Sequence, residues 1–432
     1  MHEKIIDAVK ANKEIFLSGL RQIMQIESVE EKPKPEAPFG EGPKQALNQV
    51  LLLAENMGFQ TGVVNHAVGY AQLGENNQDY IGVLGHLDVV PAGDGWNYPP
   101  FDLTFENGNL YGRGILDNKG PIISCLYALY TLKMLNIPLS KTIRVMFGTN
   151  EESGCHDIPL YLEKEHPPLY GFTPDCKYPA VYGERGLIDV TIKTCITDGS
   201  HASIEKIEAD FTKSSVPDHM KIQFSDGQWK ELFGKRSPSN APELGENVIT
   251  IFAREAGVFN GQFAYYLNWL EQGFHLKHNG EGLNLEYADE ASGKLLLTPY
   301  KLEIEDEAVL LSVSMRYPIS IKEETILQTL KANLPDNSKI IINRRMPSTQ
   351  FDLNHPMLSV MKNIYEKCTG MDGTPVTTTG ATYARFMPNT IAFGPSFPGQ
   401  KGIAHNKDEY MSLSDLMKNM EIYALTIYEL AK

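Results

Sequence analysis

Cysteine is scarce in this chain of 432 residues: five, an odd number, scattered at Cys125, Cys155, Cys176, Cys195 and Cys368 with no CxxC pair. A disulfide framework or a zinc knuckle is therefore not expected, and a reducing compartment is. Positive charge is also short. Lys and Arg number 39 against 54 Asp and Glu, a net charge of −15, which disfavours nucleic acid or an anionic membrane as partner. No apolar run approaches the ~20 residues of a membrane span. The first residues, MHEKIIDAVKANKEIF, lack the basic start and apolar core of a signal peptide. A cytoplasmic location is the expectation. Neither a GxSxG turn nor a P-loop occurs, so serine-hydrolase and nucleotide-hydrolase chemistry lack support.

What is present is a folded, soluble composition, 42% hydrophobic and 22% charged, in a chain too long for one ordinary core. Two domains are the default. The most informative stretch is Gly82–Ala92, GVLGHLDVVPA. Its β-branched apolar start predicts a buried strand. Its end places His86 and Asp88 two residues apart, on the same side of the chain. An imidazole beside a carboxylate at a strand end is how a metal-ligating histidine is commonly oriented. A satisfied polar strand end is the bland alternative.

In chain order, residues 3–26 read as an amphipathic helix with Val9, Phe16, Leu20 and Ile23 on one stripe. A proline-rich loop and a second helix follow, then strands around Gly62–Val64 and Tyr80–Leu84. LYGRGILDNKGP puts Asp117 at a strand-to-helix junction, with an apolar helix from Ile122 to Leu135. TIRVMFGTNEESG is a buried strand ending in two adjacent carboxylates, Glu151 and Glu152, and TPDCKYPAVYGERG places Asp175 in the next loop. This alternation predicts an α/β sheet with its site at the strands' carboxyl edge. From about Leu187 alternating strands dominate, as in LIDVTIKT and AVLLSVSMRYP, which predicts an inserted α+β domain. The first domain then resumes, with His405 in a Gly/Pro-rich loop before a final helix.

His86, Asp117, Glu152, Asp175 and His405 thus form a set of two imidazoles and three carboxylates, with Glu151 beside it. Such a set suits Zn²⁺, Mn²⁺ or Co²⁺ better than Ca²⁺ or copper. One bridging carboxylate, with one His and one further carboxylate on each ion, would use all five. That describes a two-metal site, with ions ~3.5–4 Å apart, which activates water for hydrolysis. One of the vicinal glutamates can bind metal while its neighbour takes a proton.

The runs GHLDVVPAGDGW, YGRGILDNKGP, GTNEESG, TPDCKYPAVYGERG, SMRYP and AHNKDEY, in this order, resemble the M20 family of metallopeptidases. Within it they are similar to the PepV-like, Xaa-His (carnosinase-like) dinuclear dipeptidases. The resemblance implies a zinc-peptidase (phosphorylase/hydrolase-like) α/β catalytic domain, residues 1–186 and 352–432, carrying an inserted α+β lid, 187–351. It implies that His86, Asp117 and Asp175 hold one metal and Asp117, Glu152 and His405 the other. Asp117 is then the bridge, Glu151 the general base and Asp88 the group that orients His86. Arg316 would grip a substrate carboxylate, a task for a bidentate donor, and Gly380, Ala381 and Thr382 would line the substrate backbone. The implied activity is cleavage of dipeptides with two divalent ions, Zn or Mn or else Co. Small peptides are the expected partners, and a monomer is favoured over a homodimer. The rivals are a deacylase of N-acyl amino acids on the same site and a metal-loaded peptide-binding protein. Three positions depart from the family pattern. Asn118 stands where a second aspartate is usual, Pro238 where a lid histidine donates to the oxyanion, and Ser214 where a lid asparagine is expected. Asn240, His219 and Arg236 are the candidate replacements. Cys155 and Cys176, beside the site, read as packing residues.

Overall fold

A strand apolar in all but its last residue is covered on both faces, and Tyr80–His86 is buried throughout. The computed structural model describes residues 1–432 except Asn77. The chain divides into two compact units. The first comprises Met1–Tyr182, Phe351–Val376 and Gly380–Lys432; the second comprises Gly183–Gln350 with Thr377–Thr379.

In the first unit the sheet runs Gln60–Val64, Val68–Leu73, Thr142–Gly148, Tyr80–His86, Tyr170–Thr173, Thr390–Ala392. The four strands from Thr142–Gly148 onward are mutually parallel, and the first two are antiparallel additions. Register pairs His86 with Gly148, so both strands stop at one edge. One face of the sheet, including Tyr80, Leu84 and Met146, packs with Ile158 and Tyr161 of the helix Asp157–Leu162. The other meets the helix Lys119–Met134, where a Cβ on Gly85 would lie 2.8 Å from Ile122. That helix is apolar nearly all round, because the helix Leu413–Ala431 packs against it in turn.

The expected first helix is two helices, His2–Ala11 and Lys13–Met24. The stripe Val9, Phe16, Leu20 and Ile23 is fully buried nonetheless. Asn12 makes the break: its backbone relaxes to ψ 0 and its side chain donates to Thr131 Oγ1 at 2.9 Å. Residues such as Asn, which compete for local hydrogen bonds, weaken a helix interior.

The second unit is α+β. Its antiparallel sheet runs Leu296–Glu305, Ala308–Tyr317, Gly186–Cys195, Ser338–Met346. Val309, Leu311, Val313 and Met315 alternate inward onto a core shared with the helix Gly261–Phe274. Among the described residues, no helix is long and apolar enough to cross a membrane.

Candidate metal centre

The ligand-type side chains sit where the parallel strands run out. His86 ends its own strand, Glu151 and Glu152 follow the strand Thr142–Gly148, and Asp175 follows Tyr170–Thr173. Asp117 lies just before the helix Lys119–Met134, and His405 comes from the loop ahead of the last helix. His405 adopts φ 63°, a left-handed backbone uncommon for a side-chain-bearing residue.

These groups converge. His86 Nε2 lies 3.1 Å from Asp117 Oδ1 and 3.6 Å from Asp175 Oδ2. His405 Nε2 lies 3.0 Å from Asp117 Oδ2 and 3.0 Å from Glu152. His86, Asp117 and Glu152 each offer one donor atom within 4.8 Å of the others, and so do His86, Glu151 and Asp175. Asp117 therefore faces both imidazoles, one with each oxygen.

The crowding of charge shifts the proton affinity of most of these groups. Hydrogen bonds to Asp117 and then Glu152 push the His405 imidazole up to about 11. Burial opposes charge on His86, but the Asp175 and Asp117 carboxylates outweigh it and hold the imidazole above its usual range. Burial, then the Asp175 charge, pushes Glu151 well above the carboxylate range. Burial likewise raises Asp175, up to about 7, with His86 opposing. Asp117 goes the other way: burial would raise it, but the hydrogen bonds from His405 and His86 hold it low. The crowding thus raises the proton affinity of Glu151 and Asp175 and of both imidazoles. Divalent cations can take the place of protons, releasing them as they bind. The mixed oxygen and nitrogen donors fit such ions.

Buried carboxylates beneath the cluster hold it in shape. Asp88 was expected to orient His86 through its carboxylate. The closer contact is its backbone carbonyl, 2.9 Å from His86 Nδ1, with the carboxylate at 3.5 Å. The carboxylate instead accepts from the backbone N–H groups of Glu151 and Glu152, both at 3.1 Å. Asp88 thus ties the imidazole to the two-glutamate turn. Asn118 Oδ1 accepts from His86 N at 3.3 Å, and its amide nitrogen donates to Pro174 O at 2.6 Å. An aspartate could not make that second bond.

Glu409 was missed by sequence reasoning. It is fully buried, and one oxygen accepts from the N–H groups of Gly114, Leu116 and Asp117 at 3.1, 2.9 and 3.1 Å. Its other oxygen pairs with Arg113 at 2.7 Å. The loop presenting Asp117 is folded around this one carboxylate. Its only sequence signal was an acid four residues after His405 in AHNKDEY.

The expected substrate-lining residues are local to the first unit. Thr382 caps the turn Tyr383–Arg385 through its hydroxyl, and Arg385 donates to Gly380 O at 3.2 Å, so Gly380, Ala381 and Thr382 form a braced turn. Arg316 belongs to the second unit, where its Nη1 donates to Thr379 O at 2.7 Å. There too lie the replacement donors. His219 pairs with Glu231 at 2.6 Å and Arg236 with Asp210 at 3.4 Å, while Asn240 is exposed. Pro238 and Ser214 flank a short pairing of Ser215–Val216 with Ser237–Pro238.

Residues 82–429 match the model of peptidase family M20/M25/M40. The chain belongs to this family. Similar proteins match the chain nearly end to end. A protein of Bacillus subtilis (strain 168) described as putative dipeptidase YtjP is 30% identical, over 97% of this chain and 98% of its own. The Beta-Ala-Xaa dipeptidase of Lactobacillus delbrueckii subsp. lactis is 29% identical, over 99% and 98%. Among solved structures, the di-peptidase Dug1p of Saccharomyces cerevisiae superposes with a TM-score of 0.65 at 14% identity, over 100% of this chain and 99% of that one. The Bacillus subtilis YXEP protein, described as a dinuclear metal binding peptidase from family M20, superposes with a TM-score of 0.57 at 10% identity, over 98% and 99%. The mixed α/β fold is that of M20 peptidases.

Proposed function

We propose that the protein is a dinuclear metal-dependent dipeptidase. The observation that carries this reading is the placement of Asp117 between two imidazoles, each imidazole sharing a further carboxylate, with Glu151 beside them. His86, Asp117 and Asp175 would hold one ion and Asp117, Glu152 and His405 the other. The chemistry such a pair supplies when bound is polarisation of the scissile carbonyl and activation of water near neutral pH. Zn²⁺, Mn²⁺ and Co²⁺ fit the donors, and Zn²⁺ or Mn²⁺ is our first assignment.

Glu151 takes the proton of the attacking water and returns it to the leaving amine. Its raised proton affinity, from burial and the Asp175 charge, suits both halves of that cycle. Asp88 keeps the base's turn in register with His86. The Gly380–Thr382 turn is assigned to the substrate backbone and Arg316 to its terminal carboxylate, with the second unit acting as lid. We read the enzyme as cytoplasmic, in keeping with its five free cysteines, and as a monomer in preference to a homodimer.

The test is apo-protein reconstituted with Mn²⁺, Co²⁺ or Zn²⁺ and assayed on dipeptides and N-acyl amino acids beside Glu151→Ala. Metal-dependent dipeptide cleavage that disappears in the variant is expected. Preference for N-acyl amino acids would move the assignment to a deacylase. Two bound ions with no turnover on any substrate would sink it.

A further inference from the structure

One buried carboxylate near the cluster touches none of the ligand-type side chains. Asp157 opens the helix Asp157–Leu162 and is fully buried. Among the described residues no cationic side chain pairs with it. Its Oδ2 gathers three donors: the N–H groups of Thr149 and Asn150, at 2.8 and 3.2 Å, and the Tyr383 hydroxyl. Thr149 and Asn150 immediately precede Glu151 and Glu152. Asn150 closes the turn further, its Oδ1 accepting from His156 N at 3.1 Å.

Tyr383 reaches two other parts of the site. Its ring stands edge-on to the His86 imidazole, centroids 6.2 Å apart at 84°. It also directly follows Thr382 and starts the turn that Thr382 caps. Gly148 makes room for the contact. A Cβ there would lie 2.0 Å from the Tyr383 hydroxyl and 2.6 Å from Asp157 Oδ2, so any side chain would break the pair.

Burying a carboxylate without a cation is costly, and hydrogen bonds to it offset only part of that cost. We propose that Asp157 and Tyr383 are positioning residues, a strut that locks the Glu151–Glu152 turn to His86 and to the Gly380–Thr382 segment. This rests on the hydrolase reading for its catalytic consequence, but not for its structural one. Neither residue contacts the reacting atoms. They act by holding the base and the ligands to a fixed separation, as supporting hydrogen bonds do around metal sites.

Three variants test this. Tyr383→Phe removes one oxygen and leaves the ring against His86. Asp157→Ala removes the acceptor altogether. Asp157→Asn keeps an acceptor oxygen for all three donors. Co²⁺ titration of the folded apo-proteins, followed by its visible absorption, reads the ligands without activity. Tyr383→Phe and Asp157→Ala should weaken Co²⁺ binding roughly 10–100-fold and lower kcat by a similar factor with little change in KM, while Asp157→Asn restores both. Wild-type Co²⁺ affinity and kcat in Tyr383→Phe, or a lowered apo Tm as its only effect, would overturn the strut. If the wild type itself binds Co²⁺ but hydrolyses nothing, the function assignment fails. The affinity comparison still decides the strut.

Discussion

The carboxylates that brace the ligand loops of the first unit and the candidate donors His219 and Arg236 of the second are held in opposite ways. In the first, Asp88, Asp157 and Glu409 are each almost wholly buried, and each accepts from two or three backbone N–H groups of the loops that carry ligands. In the second, His219 and Arg236 lie at the surface, paired to carboxylates that are themselves exposed. Charge-assisted bonds inside a low-dielectric interior are strong and hard to exchange. Exposed pairs are screened and easily re-formed with another partner. The candidate metal cluster is therefore braced from inside the first unit by buried hydrogen bonds. The ion pairs of His219 and Arg236 in the second unit stay open to solvent.

Glu409→Ala should strike hardest at this contrast. It strands buried Arg113 and releases three N–H groups of the Asp117 loop. A loss of about 3–5 kcal/mol is expected from breaking such a buried pair, measurable as urea unfolding of the apo-protein. Asn118→Asp comes next. It sets a carboxylate oxygen against the Pro174 carbonyl now contacted at 2.6 Å, so the apo-protein should lose about 1–3 kcal/mol by urea unfolding, the cost of a buried hydrogen bond left unmade.

A smaller effect has a definite sign. Burial pushes the Asp157 carboxyl up to about 6, with Tyr383 and the two N–H groups only partly opposing. The unfolded value is ~3.9, so the folded state binds this proton more tightly, and stability falls as pH rises from about 4 through 6. Asp157→Asn has no such penalty. Its Tm relative to wild type should rise by a few degrees between about pH 4 and neutrality; a flat difference would contradict the assignment. Smallest of all, His219→Ala and Arg236→Ala should leave Tm essentially unchanged, and kcat/KM within about threefold, as for exposed pairs in general. A large loss would mark that residue as a substrate contact.

Much of this organisation is legible before folding. Strand ends read clearly because apolar runs stop at His86, at the Glu151–Glu152 turn and before Asp175, and the structure gathers these with Asp117, Asp88 and His405. The supports are not legible. Glu409 looks like one more solvated acid in AHNKDEY, and only tertiary structure brings it to three N–H groups nearly 300 positions earlier. Asp157 has the same ambiguity, since nothing local shows that Gly148 leaves space for Tyr383. Asn12 was lost to periodicity, because the apolar stripe continues through the break that its side chain creates.

The most direct measurement is metal stoichiometry and dipeptide turnover in wild type and Glu151→Ala, side by side. Two ions per chain in both proteins, with turnover reduced ~10²–10⁴-fold only in the variant, is the predicted result for a general base beside an intact centre. Undiminished turnover in the variant, or a single ion in the wild type, would contradict it.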